Sequence, residues 1–148
     1  MSLEIIISDA IKDAMRAKDK IALDALRAVK SQILLVKTEA KGADVSAEQE
    51  IAILQRMIKQ RKDSFDQFTA QNRSDLAEVE QAQSTIIEKF LPQQLSTEEL
   101  ESEIKKIISQ TGAKSAKDLG KVMGMASKAL AGKSDGKSIS DMAKKLLS

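Results

Sequence analysis

Between Lys117 and Ser140 the sequence reads KDLGKVMGMASKALAGKSDGKSIS. Four of the chain's six glycines, Gly120, Gly124, Gly132 and Gly136, fall there among Lys117, Lys121, Lys128, Lys133 and Lys137. Lysine beside glycine is suited to phosphate chemistry: the ammonium supplies charge, and a residue without Cβ lets an anion approach the main chain. A nucleotide-binding loop, however, requires a glycine five residues before its Gly-Lys-Ser. Ser127 occupies that place ahead of Gly132, Lys133 and Ser134, and Ala131 occupies it ahead of Gly136, Lys137 and Ser138. Neither run follows a strand-like segment, so nucleotide hydrolysis is not expected.

Other chemistry is bounded by what is missing. The chain has no histidine and no cysteine, which removes the imidazole base, the thiolate nucleophile, the disulfide and the ordinary zinc site. A serine nucleophile would need lysine as its base, and lysine serves only when desolvation lowers its pKa. Lys133, Ser134, Lys137 and Ser138 read instead as exposed turn residues. Glu98, Glu99, Glu101 and Glu103 could offer carboxylates to a cation, but acids in the first turns of a helix are accounted for by its macrodipole. No catalytic residue, metal ligand or cofactor is expected.

The elements that carry these residues are helices. One proline and six glycines in 148 residues, with 42% hydrophobic and 31% charged side chains, describe an ordered all-α chain. Leu3, Ile6, Ile7, Ala10, Ile11, Ala14 and Met15 recur at helical spacing over 3–18. Asp19 caps a second helix, IALDALRAVKSQILLVKTEA, apolar around much of its circumference and expected at the centre of the core. Ser46 and Gln49 form a capping box for a long third helix through Ile51, Leu54, Met57, Ile58, Phe65 and Phe68. A fourth carries Leu76, Val79, Ile86, Phe90 and Leu91 and stops at Pro92. Beyond it, Ser96 with Glu99 starts a fifth helix, stopped at Gly112. Ser115 with Asp118 starts a sixth through Leu119, Val122, Met123, Ala126 and Leu130, stopped at Gly132. Met142, Ala143, Leu146 and Leu147 mark a short last helix. This predicts a helical N-terminal domain over 1–92 and a small three-helix domain over 95–148.

Charge is unevenly spread. The net is only +2, yet residues 104–148 hold ten lysines against Asp118, Asp135 and Asp141. Such asymmetry suits an anionic partner, nucleic acid first. The longest apolar run is four residues, Ile33 to Val36, against the roughly 20 that span a bilayer. Glu4, Asp9 and Asp13 interrupt the N-terminal apolar residues. No membrane span or signal peptide is expected, and the cytoplasm is the expected compartment.

Gly120 and Gly124 lie inside the predicted sixth helix, where each costs about 1 kcal/mol relative to alanine. At about 100° per residue, they share a sector with Lys117, Lys121 and Lys128, opposite Leu119, Val122, Met123, Ala126 and Leu130. Two readings follow. The face is a smooth basic ridge that takes a phosphate chain, or another helix packs on the glycines while the lysines stay solvated. With no Trp or Tyr and only Phe65, Phe68 and Phe90, all outside the basic unit, base stacking is not expected. Phosphate and ribose contacts to a double-helical RNA surface are the alternative.

FLPQQLSTEEL (90–100), TGAKSAKDLGKVMG (111–124) and GKSDGKSIS (132–140) resemble the GatB/YqeY family, and LRAVKSQI (26–33) with RSDLAEVE (73–80) resemble its YqeY-like members. The likeness spans nearly the full length. It implies a helical N-terminal domain joined to a helical domain shared with the tail of the tRNA-dependent amidotransferase B subunit, where that tail helps hold tRNA. By matching position it implies tRNA contacts at Lys114, Lys117, Gly120, Lys121, Gly124, Gly136 and Lys137, to which the basic face adds Lys128 and Lys133. Ser134, Leu119 and Phe90 depart from the family's usual alanine, methionine and tyrosine without removing charge from that face. The amidotransferase's kinase and amidase parts are absent, so a non-catalytic tRNA-binding protein is expected. The alternatives are an adaptor to a synthetase or amidotransferase subunit and, less favoured, glutamine-dependent carbon–nitrogen ligation.

Overall fold

A computed structural model describes residues 2–148. Among them the chain forms seven α-helices and one 3₁₀ turn, with no strand. The all-α expectation holds. Two compact units divide the chain, Met1–Leu91 and Pro92–Ser148.

The first unit comprises α1 (Leu3–Ala17), α2 (Lys20–Glu39), α3 (Ala47–Ala70) and α4 (Ser74–Glu88). Its helices start where side chains answer the orphan amides of a first turn. Asp19 Oδ1 accepts from the Ala22 N–H at 3.1 Å. Ser46 and Gln49 exchange hydrogen bonds of 3.1 and 2.9 Å, completing the capping box. Leu3, Ile7, Ala25, Leu26, Val29, Ile33, Ile53, Leu54, Met57, Ile58 and Ile87 make most of the core. Polar ties hold the helices in register. Lys37 Nζ meets Glu4 Oε2 at 2.9 Å, joining the end of α2 to the start of α1. This hydrogen bond and the Glu4 charge keep the Lys37 ammonium above its ordinary pKa. Glu50 Oε2 accepts from the Leu3 N–H at 2.7 Å, tying α3 to α1.

The apolar pattern misassigns part of this core. Leu76 and Val79 are 36% and 39% exposed, whereas α4 buries Ala77, Ser84 and Ile87. Hydrophobic size draws attention to one side of α4, but small Ala77 and Ser84 permit close helix approach, and packing uses that side. Ile6 and Met15, placed in the buried stripe of α1, are also exposed, as are Ile21, Leu34 and Leu35 on α2. The second helix is therefore central along one face only.

The second unit comprises α5 (Thr97–Thr111), a 3₁₀ turn (Ala116–Asp118), α6 (Leu119–Ala129) and α7 (Gly136–Leu147). Ser96 Oγ accepts from the Glu99 N–H at 3.1 Å, and Gly112 ends α5 at φ 70°, the left-handed stop expected of it. Leu100, Ile104, Ile107, Val122, Ala126, Leu130, Ile139, Met142, Ala143 and Leu147 form its core. The segment ahead of α5 is tied to the α6–α7 turn: the Leu95 N–H donates to the Lys133 carbonyl at 2.9 Å and Gln94 Nε2 to the Gly132 carbonyl at 2.5 Å.

Two boundaries of this unit differ from expectation. α6 does not begin at Ser115, because the Asp118 N–H bonds back to the Ser115 carbonyl at 3.0 Å, a tighter three-residue closure. Nor does Gly132 end α6 directly: the helix stops at Ala129, and Gly132, at φ 76°, shapes the turn beyond.

Ser84 is 5% exposed and its hydroxyl has no hydrogen-bond partner among the described residues. A buried hydroxyl left unpaired costs about 1–3 kcal/mol. Ser84→Ala is therefore expected to stabilise the protein by about 1 kcal/mol, read as a higher urea midpoint at unchanged slope.

Candidate functional site

The core of the second unit determines what α6 shows to solvent. Val122 and Ala126 have no exposed surface, and Leu119 and Met123 pack on the same cluster. At about 100° per residue, Gly120, Gly124, Lys128, Lys121 and Met125 must then face outward. They do. With Thr111 at the end of α5, these five residues line a shallow open groove of about 470 Å³.

Gly120 and Gly124 leave main chain bare in this groove. A Cβ built on either would meet no atom within 4 Å, and neither has positive φ. No steric or conformational demand of the fold calls for glycine at these positions. Within the second unit no helix packs on either glycine. Met125, which the pattern did not single out, is 42% exposed beside them. Thr111, also unforeseen, donates its hydroxyl to the Ile108 carbonyl at 3.1 Å at the groove's edge.

Of the residues expected at a binding face, Gly120, Lys121, Gly124 and Lys128 come together. Lys114 precedes the 3₁₀ turn and Lys117 lies within it, so the placing of Lys117 on the α6 helix is corrected. Lys133 stands in the turn after α6, and Gly136 and Lys137 open α7. These five are exposed but do not line the groove. Lys144 and Lys145, exposed on the last turns of α7, were not assigned a role, although the lysine excess of residues 104–148 contains them.

Electrostatics separate the two sides of this unit. Its ion pairs among the described residues, Lys105–Glu101 at 3.2 Å and Lys106–Glu103 at 3.4 Å, both lie on α5. Lys121 and Lys128 have no such partner. Asp118 is the acid nearest to Lys121 in sequence, and its carboxylate is engaged by the Lys114 N–H at 3.0 Å. That hydrogen bond first, then the Ser115 amide and the charges of Lys121 and Lys114, hold the Asp118 carboxyl below its ordinary pKa. No group of three or more acids, histidines or cysteines that could hold a metal occurs among the described residues.

An all-α chain with a lysine-rich, groove-bearing second unit defines the class. The particular family follows from comparison with known proteins: residues 5–147 match the family described as YqeY-like protein, and the chain belongs to it. Three curated relatives are each named altered inheritance of mitochondria protein 41, mitochondrial. The Lachancea thermotolerans protein is 36% identical over 83 residues, 56% of this chain and 44% of the relative. That of Saccharomyces cerevisiae strain YJM789 is 33% identical over 100 residues, 66% and 54%. That of Meyerozyma guilliermondii is 38% identical over 89 residues, 56% and 47%. The chain thus spans about half the length of the curated relatives it matches. The cytoplasmic expectation is overturned, since these relatives are mitochondrial by name. None of the described helices is long and apolar enough to cross a membrane, which does not bear on compartment.

Because the Asp118 carboxylate is stabilised in the folded state, its contribution is present above its ordinary pKa of about 3.9 and is lost as pH falls through the lower folded value. Asp118→Ala is expected to melt below the parent at pH 7, with the gap narrowing as pH falls below about 4. Thermal melts followed by circular dichroism across that range check it.

Proposed function

We propose that the second unit is a non-catalytic binder of structured RNA, of the tRNA class, that seats a phosphate–ribose backbone in the α6 groove. The observation that carries this reading is the pair Gly120 and Gly124. Gly124, inside α6, forgoes about 1 kcal/mol of helix stability relative to alanine, no neighbour occupies the space a Cβ would fill at it or at Gly120 in the first turn, and lysines flank the opening. A bare helical backbone between ammonium groups suits an anionic chain that must come close. All three phenylalanines lie in the first unit and there is no Trp or Tyr, so the second unit has no platform for stacking bases, which favours a double-helical surface over a single strand. The tRNA class rests on the resemblance of 111–124 and 132–140 to the amidotransferase tail.

A second reading is favoured by Met125, whose exposed thioether beside Gly124 suits an apolar side chain of a docked helix. In it, the groove is an adaptor surface for a synthetase or amidotransferase subunit.

Gly124→Ala separates fold from function: it is expected to raise stability by about 1 kcal/mol and weaken tRNA binding. Lys121→Glu with Lys128→Glu is expected to lower tRNA affinity by about tenfold or more and flatten its salt dependence, as loss of phosphate contacts requires. Fluorescence anisotropy with total tRNA at two salt concentrations reads both. Unchanged affinity in the double variant overturns the assignment. Binding of a purified synthetase or amidotransferase subunit that is lost in Gly124→Leu but kept in the lysine variant favours the adaptor.

A further inference from the structure

α3 places Leu54, Ile58, Arg61, Phe65 and Phe68 along one face at alternating steps of four and three. α4 does the same with Leu76, Val79, Gln83 and Ile86, and Phe90, two residues past its end, extends the row. This is the spacing of helices that pack along a continuous seam. Arg61 Nε donates to Gln83 Oε1 at 3.2 Å and so sets the antiparallel register. Equal steps from that pair toward the turn at Gln71–Arg73 bring Phe65 level with Val79 and Phe68 level with Leu76.

The two halves of this hairpin differ in cover. Leu54, Ile58, Ile86 and Phe90 belong to the core of the first unit or pack on it, whereas Phe65, Phe68, Leu76 and Val79 do neither. The phenylalanines are only half-buried, and Leu76 and Val79 are exposed. The apolar seam thus continues past the helices that cover it.

The same stretch holds two opposite charges without ion partners. Arg61 is half-buried, and its guanidinium reaches only neutral acceptors, the Gln83 amide and the Met57 carbonyl at 3.3 Å. Desolvation accordingly lowers its pKa, with the charge of Glu80 opposing. Glu80 is half-buried on α4 and makes no ion pair among the described residues. A half-buried cation whose hydrogen bonds all go to neutral acceptors is costly, and a carboxylate brought into direct contact with it relieves that cost.

A face that carries both members of an ion pair, unpaired, amid a continuing apolar seam is its own complement. Under a two-fold axis each residue that meets another is met by it in return. We propose that the outer half of the α3–α4 hairpin, Arg61 to Glu80, is an isologous interface at which two copies of this chain form a four-helix bundle. Arg61 of each copy faces Glu80 of the other, and Phe65, Phe68, Leu76 and Val79 fill the seam between them.

Sedimentation velocity over a protein concentration series tests it. The parent chain is expected to sediment as a monomer–dimer equilibrium, and Phe65→Ser to weaken the dimer by about tenfold or more, the loss of one buried anchor. Arg61→Glu and Glu80→Arg, which leave the core of the first unit untouched, are each expected to weaken it, and their combination to restore it. Circular dichroism melts of the charge variants confirm that they are folded. A parent monomeric throughout the series overturns the proposal, as does a dimer indifferent to the charge reversals or not rescued by the pair. A dimer lost only in α6 variants would place the contact between copies in the groove and equally overturn it.

Discussion

Val122 and Ala126, without exposed surface in the cluster that holds Ile104 and Ala143, decide what the second unit can do. A helix of eleven residues makes about three turns, so it has one face to bury and one to show. Once that contact claims the first face, Gly120, Gly124, Lys121 and Lys128 have no other place than the solvent side. A core this small has little redundancy, and the ties from Leu95 and Gln94 to the α6–α7 turn help close it. The candidate site is thus a by-product of packing on the opposite side of the same helix. Its chemistry and its stability are linked through α6.

Charge follows the same division. Acids from Glu98 to Glu103 stand on α5, where Glu101 and Glu103 satisfy Lys105 and Lys106. The lysines of α6 and α7 have no comparable partners among the described residues. Separation of this kind costs some self-repulsion and yields a directed field that can orient an anion before contact. The first unit, by contrast, uses charge for register: Glu4 with Lys37 and Glu50 with the Leu3 amide fix helix against helix.

Much of this was legible in the residues because it is local. Ser46 with Gln49, Asp19, Ser96 and Gly112 mark helix ends through hydrogen bonds or dihedral angles within a few positions of themselves, and each acts where it was expected. Leu76 and Val79 misled because periodicity reports that a helix has an apolar side without saying which neighbour arrives, or how far along it reaches. Ala77 and Ser84, too small to stand out, take the buried side. Lys117 was assigned to the α6 helix because the pattern does not register that Asp118 closes back on Ser115 before the helix begins.

By itself the sequence determined the helical class, most helix ends, the membership shown by residues 5–147 and the clustering of lysine beside glycine after Gly112. These depend on backbone preference, capping and composition, which act over short distances along the chain. Only the tertiary structure decided that Gly120 and Gly124 face open space, that Met125 and Thr111 join them, and that the α3–α4 seam outruns its cover. Each of those turns on which surfaces meet across a fold, and contact between residues far apart in sequence is set by packing shape, to which local preference is blind.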